Sequence, residues 1–520
     1  MFFFIIDAGY LLQSFFPKSF SLLKNVAPMF FLVCSSLLLV VQDSHAFEEN
    51  IIGQLENAVK RVVASAEPSV GCILVSRSPL YKELGAVPLD NIPGKLGGFV
   101  PPADPQKRLR KPLDKSKSSL DLSDPETFPD SFGTGVVVDP SGLILTMAHV
   151  VKDAVKVYVR FPGGKGSYAD IHALDGRSDL AVLRLIEKIP DLKPLKFGDA
   201  SNLKKGQFLI HISNPYASGF YDGSPSVGWG MLSNLRRKWN NQTAEADRTQ
   251  VPLYQYGTLL QLNTVVKPGA SGGALLTMDG SWVGILSSIA GWPGADSSEG
   301  YAVPLDINHR KIIEVLCKGE EVEYGFLGVQ MAAGVRNVKV AQVSERSPAF
   351  RAGIYQGDTI VAINGQPVDN PDDLFLHIGS TLAGNIAQVE VVGVIGNQTR
   401  VVQVKLAKYL SSLPVIASNQ RAPVFGITVD YSSLLAQRPF GIGQWGRGVP
   451  DSVLIKDVIP GSPGDIAKLQ SGKLISRVDN TPVSNPAEFY KAMAKAIDSV
   501  ALTIIQTDGV QQEVVVLKKN

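Results

Sequence analysis

The stretch Lys267-Pro268-Gly269-Ala270-Ser271-Gly272-Gly273-Ala274-Leu275 sets a serine among three glycines, with apolar residues on either side (Leu259, Leu260 and Leu262 before it, Leu275 and Leu276 after it). A serine hydroxyl is a weak nucleophile at neutral pH. It needs a base to take its proton and hydrogen-bond donors to hold the oxyanion that its attack creates. Glycines beside it let the backbone adopt positive φ and let a substrate carbonyl come close to main-chain N–H groups. Alone, the motif also fits a tight turn between two strands. Two further residues supply the missing roles. His149 stands where an apolar strand runs into Met147-Ala148-His149-Val150-Val151, and Asp179 heads the apolar run Leu180 to Leu185. Taken singly, His149 reads as a buried hydrogen-bonded histidine and Asp179 as a cap or turn residue. Jointly they are a base and the acid that orients it.

The order His, Asp, Ser along the chain is the order in double-barrel serine peptidases and differs from that of α/β-hydrolases and subtilisins. The surrounding pattern agrees. Short apolar runs bounded by turn residues predict strands at 69–75, 135–139, 143–146, 155–161, 168–174, 179–185, 208–212, 227–232 and 255–264, the spacing of an all-β barrel or pair of barrels. A short helix is expected at 51–63 and a closing helix at 311–318. The glycine turn at 162–166 lacks the Gly-Lys-Ser/Thr ending of a phosphate loop. Between them, residues 77–130 form a long polar, proline-rich insertion with a basic cluster at Lys107 to Lys111, read as a solvated loop or as a dock for something acidic. Beyond Asn308 the sequence repeats itself. Ser347-Pro348-Ala349 through Pro367-Val368 aligns without gaps to Ser462-Pro463-Gly464 through Pro482-Val483. Each copy follows an apolar-Gly-apolar element and precedes an amphipathic stretch and a closing strand, so one module is used twice.

A chain of 520 residues exceeds one ordinary domain, and 45% hydrophobic with 19% charged residues is globular composition. A net charge of +2, with no Lys/Arg run interleaved with aromatics, gives no reason to expect nucleic acid. The three cysteines (Cys34, Cys72, Cys317) are too few for a disulfide framework and match no zinc spacing, so no metal is expected; Cys72 and Cys317 read as small buried hydrophobes. His172, His211, His309 and His377 lack a partner motif and read as structural. Near the start, Lys18 and Lys24 precede an apolar run from Val26 to Val41, and then Ser44-His45-Ala46, the order of an export signal cut after Ala46. An uncleaved membrane anchor is the alternative.

The three segments around His149, Ser178-Asp179-Leu180-Ala181-Val182-Leu183 and Gly269-Ala270-Ser271-Gly272-Gly273 resemble the catalytic motifs of the HtrA/Deg family of serine proteases, and the repeated module resembles that family's PDZ domains. The resemblance runs from about Glu48 to the C-terminus. It implies a mainly β chain, with a signal peptide at 1–46, a trypsin-like double β-barrel protease domain at 47–318, and two PDZ (α+β) domains at 320–408 and 420–520. It implies an exported, periplasmic or extracytoplasmic endopeptidase of protein quality control, built on trimers, that acts on misfolded or unfolded proteins without cofactor, metal or ATP. His149 would be general base, Asp179 its orienter and Ser271 the nucleophile. The oxyanion hole falls on Gly269, Ala270 and Ser271, with the N–H groups of Gly269 and Ser271 as donors. Ile285, Ser287 and Ile289 fall where the family builds its specificity pocket, and their size predicts cleavage after small or medium apolar side chains. Phe326, Leu327, Gly328 and Val329 in the first module, and Phe425, Gly426 and Ile427 in the second, would receive a peptide's C-terminal carboxylate, the peptide adding as a strand. The sequence departs from the family pattern at Met147, Ala270, Asn263 and Ser213, and in the second module at Gly472-Lys473 and an insertion from Tyr431 to Pro450. Those departures leave a second reading, a weakly active or non-proteolytic chaperone or peptide-binding scaffold that keeps the protease fold. A processing enzyme with one native substrate would differ only in substrate range.

Overall fold

A computed structural model describes residues 51–77, 121–125, 127–238, 251–288, 299–332, 337–393, 398–437, 450–505 and 512–518. The expected signal segment, nearly all of the 77–130 insertion, the basic cluster and most of the 431–450 insertion lie outside them. Residues 51–66 are helical, as the apolar spacing predicts.

Six strands then form a first barrel: β1 (Val70–Ser76), β2 (Ser131–Asp139), β3 (Leu143–Met147), β4 (Lys156–Arg160), β5 (Gly166–Asp175) and β6 (Leu180–Leu185). They run β5-β4-β1-β2-β3-β6, and pairing of β5 with β6 closes the ring. All seven residues of β1 are buried, which is why its run is continuously apolar instead of alternating. A short helix α1 (Ala148–Val151) follows β3 directly. A second closed barrel is built from β7 (Phe208–Ser213), β8 (Ser226–Arg237), β9 (Leu259–Leu262), β10 (Ala274–Thr277), β11 (Trp282–Ser287) and β12 (Gly300–Pro304). Leu209, Leu232, Leu260, Leu262, Leu275 and Leu286 share its core. Helix α2 (Ile307–Cys317) comes next, its N-terminus capped by Asp306, which accepts from the N–H groups of Asn308 and His309.

The repeated module appears as two sheets of matching design. In the first, β13 (Gly325–Phe326) leads to β14 (Val329–Met331), β15 (Val338–Val343), α3 (Pro348–Arg351), β16 (Thr359–Ile363), β17 (Gln366–Pro367), α4 (Pro371–Ser380), β18 (Ile386–Val392), β19 (Thr399–Lys405) and β20 (Ala407–Lys408). The sheet order is β14-β15-β16-β18-β19, so β14 is an edge strand. A strand the sequence did not announce, β21 (Val415–Ala417), pairs antiparallel with β5 and extends the first barrel's sheet. The second copy comprises β22 (Ile427–Tyr431), α5 (Ser433–Ala436), β23 (Val453–Val458), α6 (Pro463–Ile466), β24 (Leu474–Val478), β25 (Thr481–Pro482), α7 (Pro486–Met493), β26 (Ser499–Ile505) and β27 (Gln512–Lys518), in the order β22-β23-β24-β26-β27. Ser347 and Ser462 cap α3 and α6 alike, each accepting from the N–H three residues on, ahead of a proline at the first helical position. The aligned Ser-Pro pairs are therefore helix starts.

Candidate active site

Strand register brings the first two residues together. Met147 at the end of β3 pairs with Leu180 at the start of β6. One step further, the Ala148 N–H donates to the Asp179 carbonyl at 2.7 Å. Asp179 itself has φ of 58°, the left-handed region that aspartate tolerates better than most residues. That turn folds its carboxylate back over His149, where Oδ1 accepts from the His149 N–H (2.9 Å) and Oδ2 from Nδ1 (2.7 Å). The imidazole is thereby fixed in the tautomer with the proton on Nδ1, leaving Nε2 as an acceptor. Nε2 is 2.9 Å from Ser271 Oγ. Arg77 secures the histidine-bearing turn from below: its guanidinium donates to the carbonyls of His149, Val150 and Lys152. These are the carbonyls that a four-residue helix leaves without partners.

The Ser271 turn precedes β10, whose Ala274 pairs with Ile212 on one side and Ile285 on the other. Two glycines are obligatory here. Gly269 and Gly272 both have φ of 89°, and a Cβ on Gly272 would lie 1.9 Å from the Thr134 carbonyl oxygen. The turn's carbonyls are all engaged by groups other than the Ser271 hydroxyl. Pro268 accepts from the Tyr216 N–H (2.7 Å), Gly269 from Thr134 Oγ1 (2.7 Å), Ala270 from the Gly273 N–H (2.9 Å) and Ser271 from the Thr134 N–H (2.8 Å). The Ala270 N–H donates to the Lys267 carbonyl (3.0 Å), which corrects the expectation for Ala270: its amide is engaged within the turn. Gly269 and Ser271 donate to no main-chain carbonyl among the described residues, leaving two N–H groups for an oxyanion.

Ser271 is only 2% exposed. Ser288, just past β11, covers it: Ser288 Oγ is 2.6 Å from Ser271 Oγ, and the Ser288 N–H donates to the same oxygen at 2.9 Å. Of the expected specificity residues, Ile285 has no exposed surface. Ser287 is buried opposite Tyr301, and Ile289 lies outside the described residues. The departures from the family pattern have structural partners. Met147 is wholly buried, Ser213 is buried at the end of β7, and Asn263 accepts from the Met231 N–H through Oδ1.

The two peptide-docking loops differ. In the first, Leu327 and Gly328 hold their carbonyls on the Ala349 and Ser344 N–H groups, and their own N–H groups donate to no backbone carbonyl among the described residues. Phe326 and Val329 flank them as the ends of β13 and β14. In the second, Phe425 takes φ of 52°, and Ile427, a core residue, donates its N–H to the Val424 carbonyl at 3.0 Å. One of the donors expected there is thus engaged within the loop.

Among the described residues no group of His, Cys, Asp or Glu is arranged to hold a metal, and no helix is long and apolar enough to cross a membrane. Thr134, Arg77 and Ser288 went unremarked in the sequence. For Thr134 a signal existed in Gly133-Thr134-Gly135, since a Cβ on Gly133 would meet Val150 at 2.4 Å and one on Gly135 would meet Ile144 at 2.5 Å. Paired glycines around one buried threonine mark close approach from several sides.

Residues 133–285 match the trypsin-like peptidase domain and residues 325–406 the PDZ domain. A probable periplasmic serine endoprotease DegP-like of Pseudomonas fluorescens is 28% identical over 439 residues, covering 80% of this chain and 83% of that protein. A protein of the same description from Chlamydia pneumoniae is 29% identical, covering 73% of this chain and 74% of its own length. The solved structure of an HtrA-type protease, AlgW, with decapeptide is 23% identical with a TM-score of 0.44, over 67% of this chain and 98% of that one. Two barrels, the trypsin-like peptidase match and relatives described as serine endoproteases make this chain a trypsin-like serine endopeptidase, which also carries a PDZ module. The chain is thus similar over most of its length to serine endoproteases described as DegP-like.

Proposed function

We propose that His149, Asp179 and Ser271 are the catalytic triad of this endopeptidase, and that the enzyme degrades unfolded or misfolded proteins outside the cytoplasm. The observation that carries the reading is the unbroken chain Asp179 Oδ2, His149 Nδ1, His149 Nε2, Ser271 Oγ, with links of 2.7 and 2.9 Å. His149 Nε2 takes the hydroxyl proton as Ser271 Oγ attacks the scissile carbonyl, and Asp179 stabilises the imidazolium that results. The Gly269 and Ser271 N–H groups hold the oxyanion. Collapse of the tetrahedral intermediate passes the proton from His149 to the leaving amine. Water, deprotonated in turn by His149, then releases the acyl group. The barrel near Ser287 selects small or medium apolar residues. The first PDZ module docks peptide C-termini on the open edge of β14, with Leu327 and Gly328 as carboxylate donors. The name periplasmic carried by the relatives supports export through the N-terminal segment. Trimers or their multiples are the working assembly in this reading.

Ser288 favours a second reading alongside the first. A nucleophile that accepts a backbone N–H and is 2% exposed is covered at rest, so basal turnover is low until a ligand moves Ser288 aside. The test compares casein degradation by the mature wild-type chain and Ser271→Ala. Loss of degradation in the variant supports the triad. Equal degradation by both would end the protease assignment for this serine and leave a scaffold.

A further inference from the structure

We infer that Thr134 is a positioning residue for the reaction, the clamp that keeps the oxyanion donors of the Ser271 turn pointing outward. Thr134 has no exposed surface and pairs with Cys72 in the middle of the β1–β2 ladder of the first barrel. Its N–H, hydroxyl and carbonyl together make four hydrogen bonds. Its N–H donates to the Ser271 carbonyl, and its hydroxyl donates to the Gly269 carbonyl. The same hydroxyl accepts from the Asn214 N–H at 2.8 Å, and its carbonyl accepts from Thr146 Oγ1 at 2.7 Å. A hydroxyl has one proton, so its direction is settled: the proton goes to Gly269, and a lone pair receives Asn214.

These bonds fall on both sides of the donor pair. The two candidate oxyanion donors belong to the Pro268–Gly269 and Ala270–Ser271 peptides, and Thr134 fixes the carbonyls of Gly269 and Ser271, the peptides immediately following. Through Asn214 it also steadies the segment whose Tyr216 N–H holds the Pro268 carbonyl. Turning the donors away would break the Tyr216 bond to the Pro268 carbonyl or the Gly273 bond to the Ala270 carbonyl, and it would have to do so against following peptides that Thr134 holds in place. Through Thr146, three residues before His149, the same residue ties the nucleophile turn to the strand that carries the base. The hydroxyl therefore acts where negative charge develops, and its loss weighs on the transition state more than on the bound substrate.

The inference rests on Ser271 being the nucleophile, so Ser271→Ala is run alongside. Thr134→Val keeps the volume and the main-chain bond but removes both hydroxyl bonds, while Thr134→Ser keeps both. With a chromogenic peptide substrate, Thr134→Val is expected to lower kcat about 10- to 100-fold, within the range for losing an oxyanion donor, with KM within about twofold of wild type. Thr134→Ser is expected to restore kcat to within about threefold of wild type. A peptide boronate, which mimics the tetrahedral state, is expected to bind Thr134→Val weaker by the same factor as the fall in kcat. An unchanged kcat in Thr134→Val, or a loss that Thr134→Ser does not rescue, would overturn the inference while an inactive Ser271→Ala left the triad intact. Should the valine variant fail to fold, Thr134→Cys, with a weaker donor and acceptor, reads the same quantity: kcat down fivefold or more supports the clamp, and wild-type kcat refutes it.

Discussion

The guanidinium carbon of Arg177 lies 4.0 Å from the centroid of the Tyr409 ring, and on its other side 4.6 Å from that of Tyr324. Arg177 stands two residues before Asp179, whereas the tyrosines open and close the first repeat module, joined by the Tyr409 N–H on the Tyr324 carbonyl at 2.8 Å. Beside this sandwich, Tyr324 Oη donates at 2.5 Å to Asp175, which also accepts from Ser178. Burial raises the Asp175 carboxyl above its usual range. The turn that presents Asp179 is therefore built partly from residues of the module that follows the barrels.

Arg177→Ala should consequently loosen that module from the barrel. A desolvated cation between two rings is worth about 2 kcal/mol or more. The variant is expected to unfold several degrees lower and to be cut by chymotrypsin after Tyr409 or Leu410, between the module and β21, under conditions where the wild type resists. Wild-type resistance and melting in Arg177→Ala would show that the sandwich is not a support.

The two modules should differ in peptide binding. Tyr490 on α7 packs against the core that includes Val429 of β22, and Arg421 lies over the same ring at 5.6 Å. Among the described residues no such cover stands on β14. Calorimetry with an apolar C-terminal peptide is expected to give one site per chain, lost in Gly328→Val because a Cβ there would lie 2.3 Å from the Cβ of Ser347. Tyr490→Ala is expected to add a second site. Two sites in the wild-type protein would contradict the self-covered groove.

His211 supplies a pH prediction. Burial lowers its pKa, its Nδ1 has no partner, and its ring packs over Gly228. The folded state thus binds the proton less well than the unfolded state, and stability from this group is full above pH ~6.5 and is lost as pH falls below it, by at most about 1.4 kcal/mol per pH unit. Urea denaturation of wild type and His211→Leu at pH 7.5 and 5.5 is expected to move the difference in the variant's favour at the lower pH. A difference independent of pH would refute the assignment.

The barrels and the turns that carry His149, Asp179 and Ser271 were legible because their signals are local. An apolar run of fixed length makes a strand, and a left-handed aspartate at a strand head or a serine between glycines announces its turn. What escaped reading depends on pairs far apart in the chain. The Thr134 hydroxyl matters only because residue 269 comes to it, and Arg77, at the lip of the insertion, caps a helix that begins 71 residues later. Strand β21 gave no periodic signal because three residues are too few to show one.

The central claim, that Ser271 is the nucleophile activated by His149, is tested most directly by intact-mass analysis after treatment with a fluorophosphonate. One adduct per chain is predicted, mapped to the peptide containing Ser271, absent in Ser271→Ala and formed about 10³-fold or more slowly in His149→Ala. An adduct on another residue, or equal labelling of wild type and His149→Ala, would contradict it.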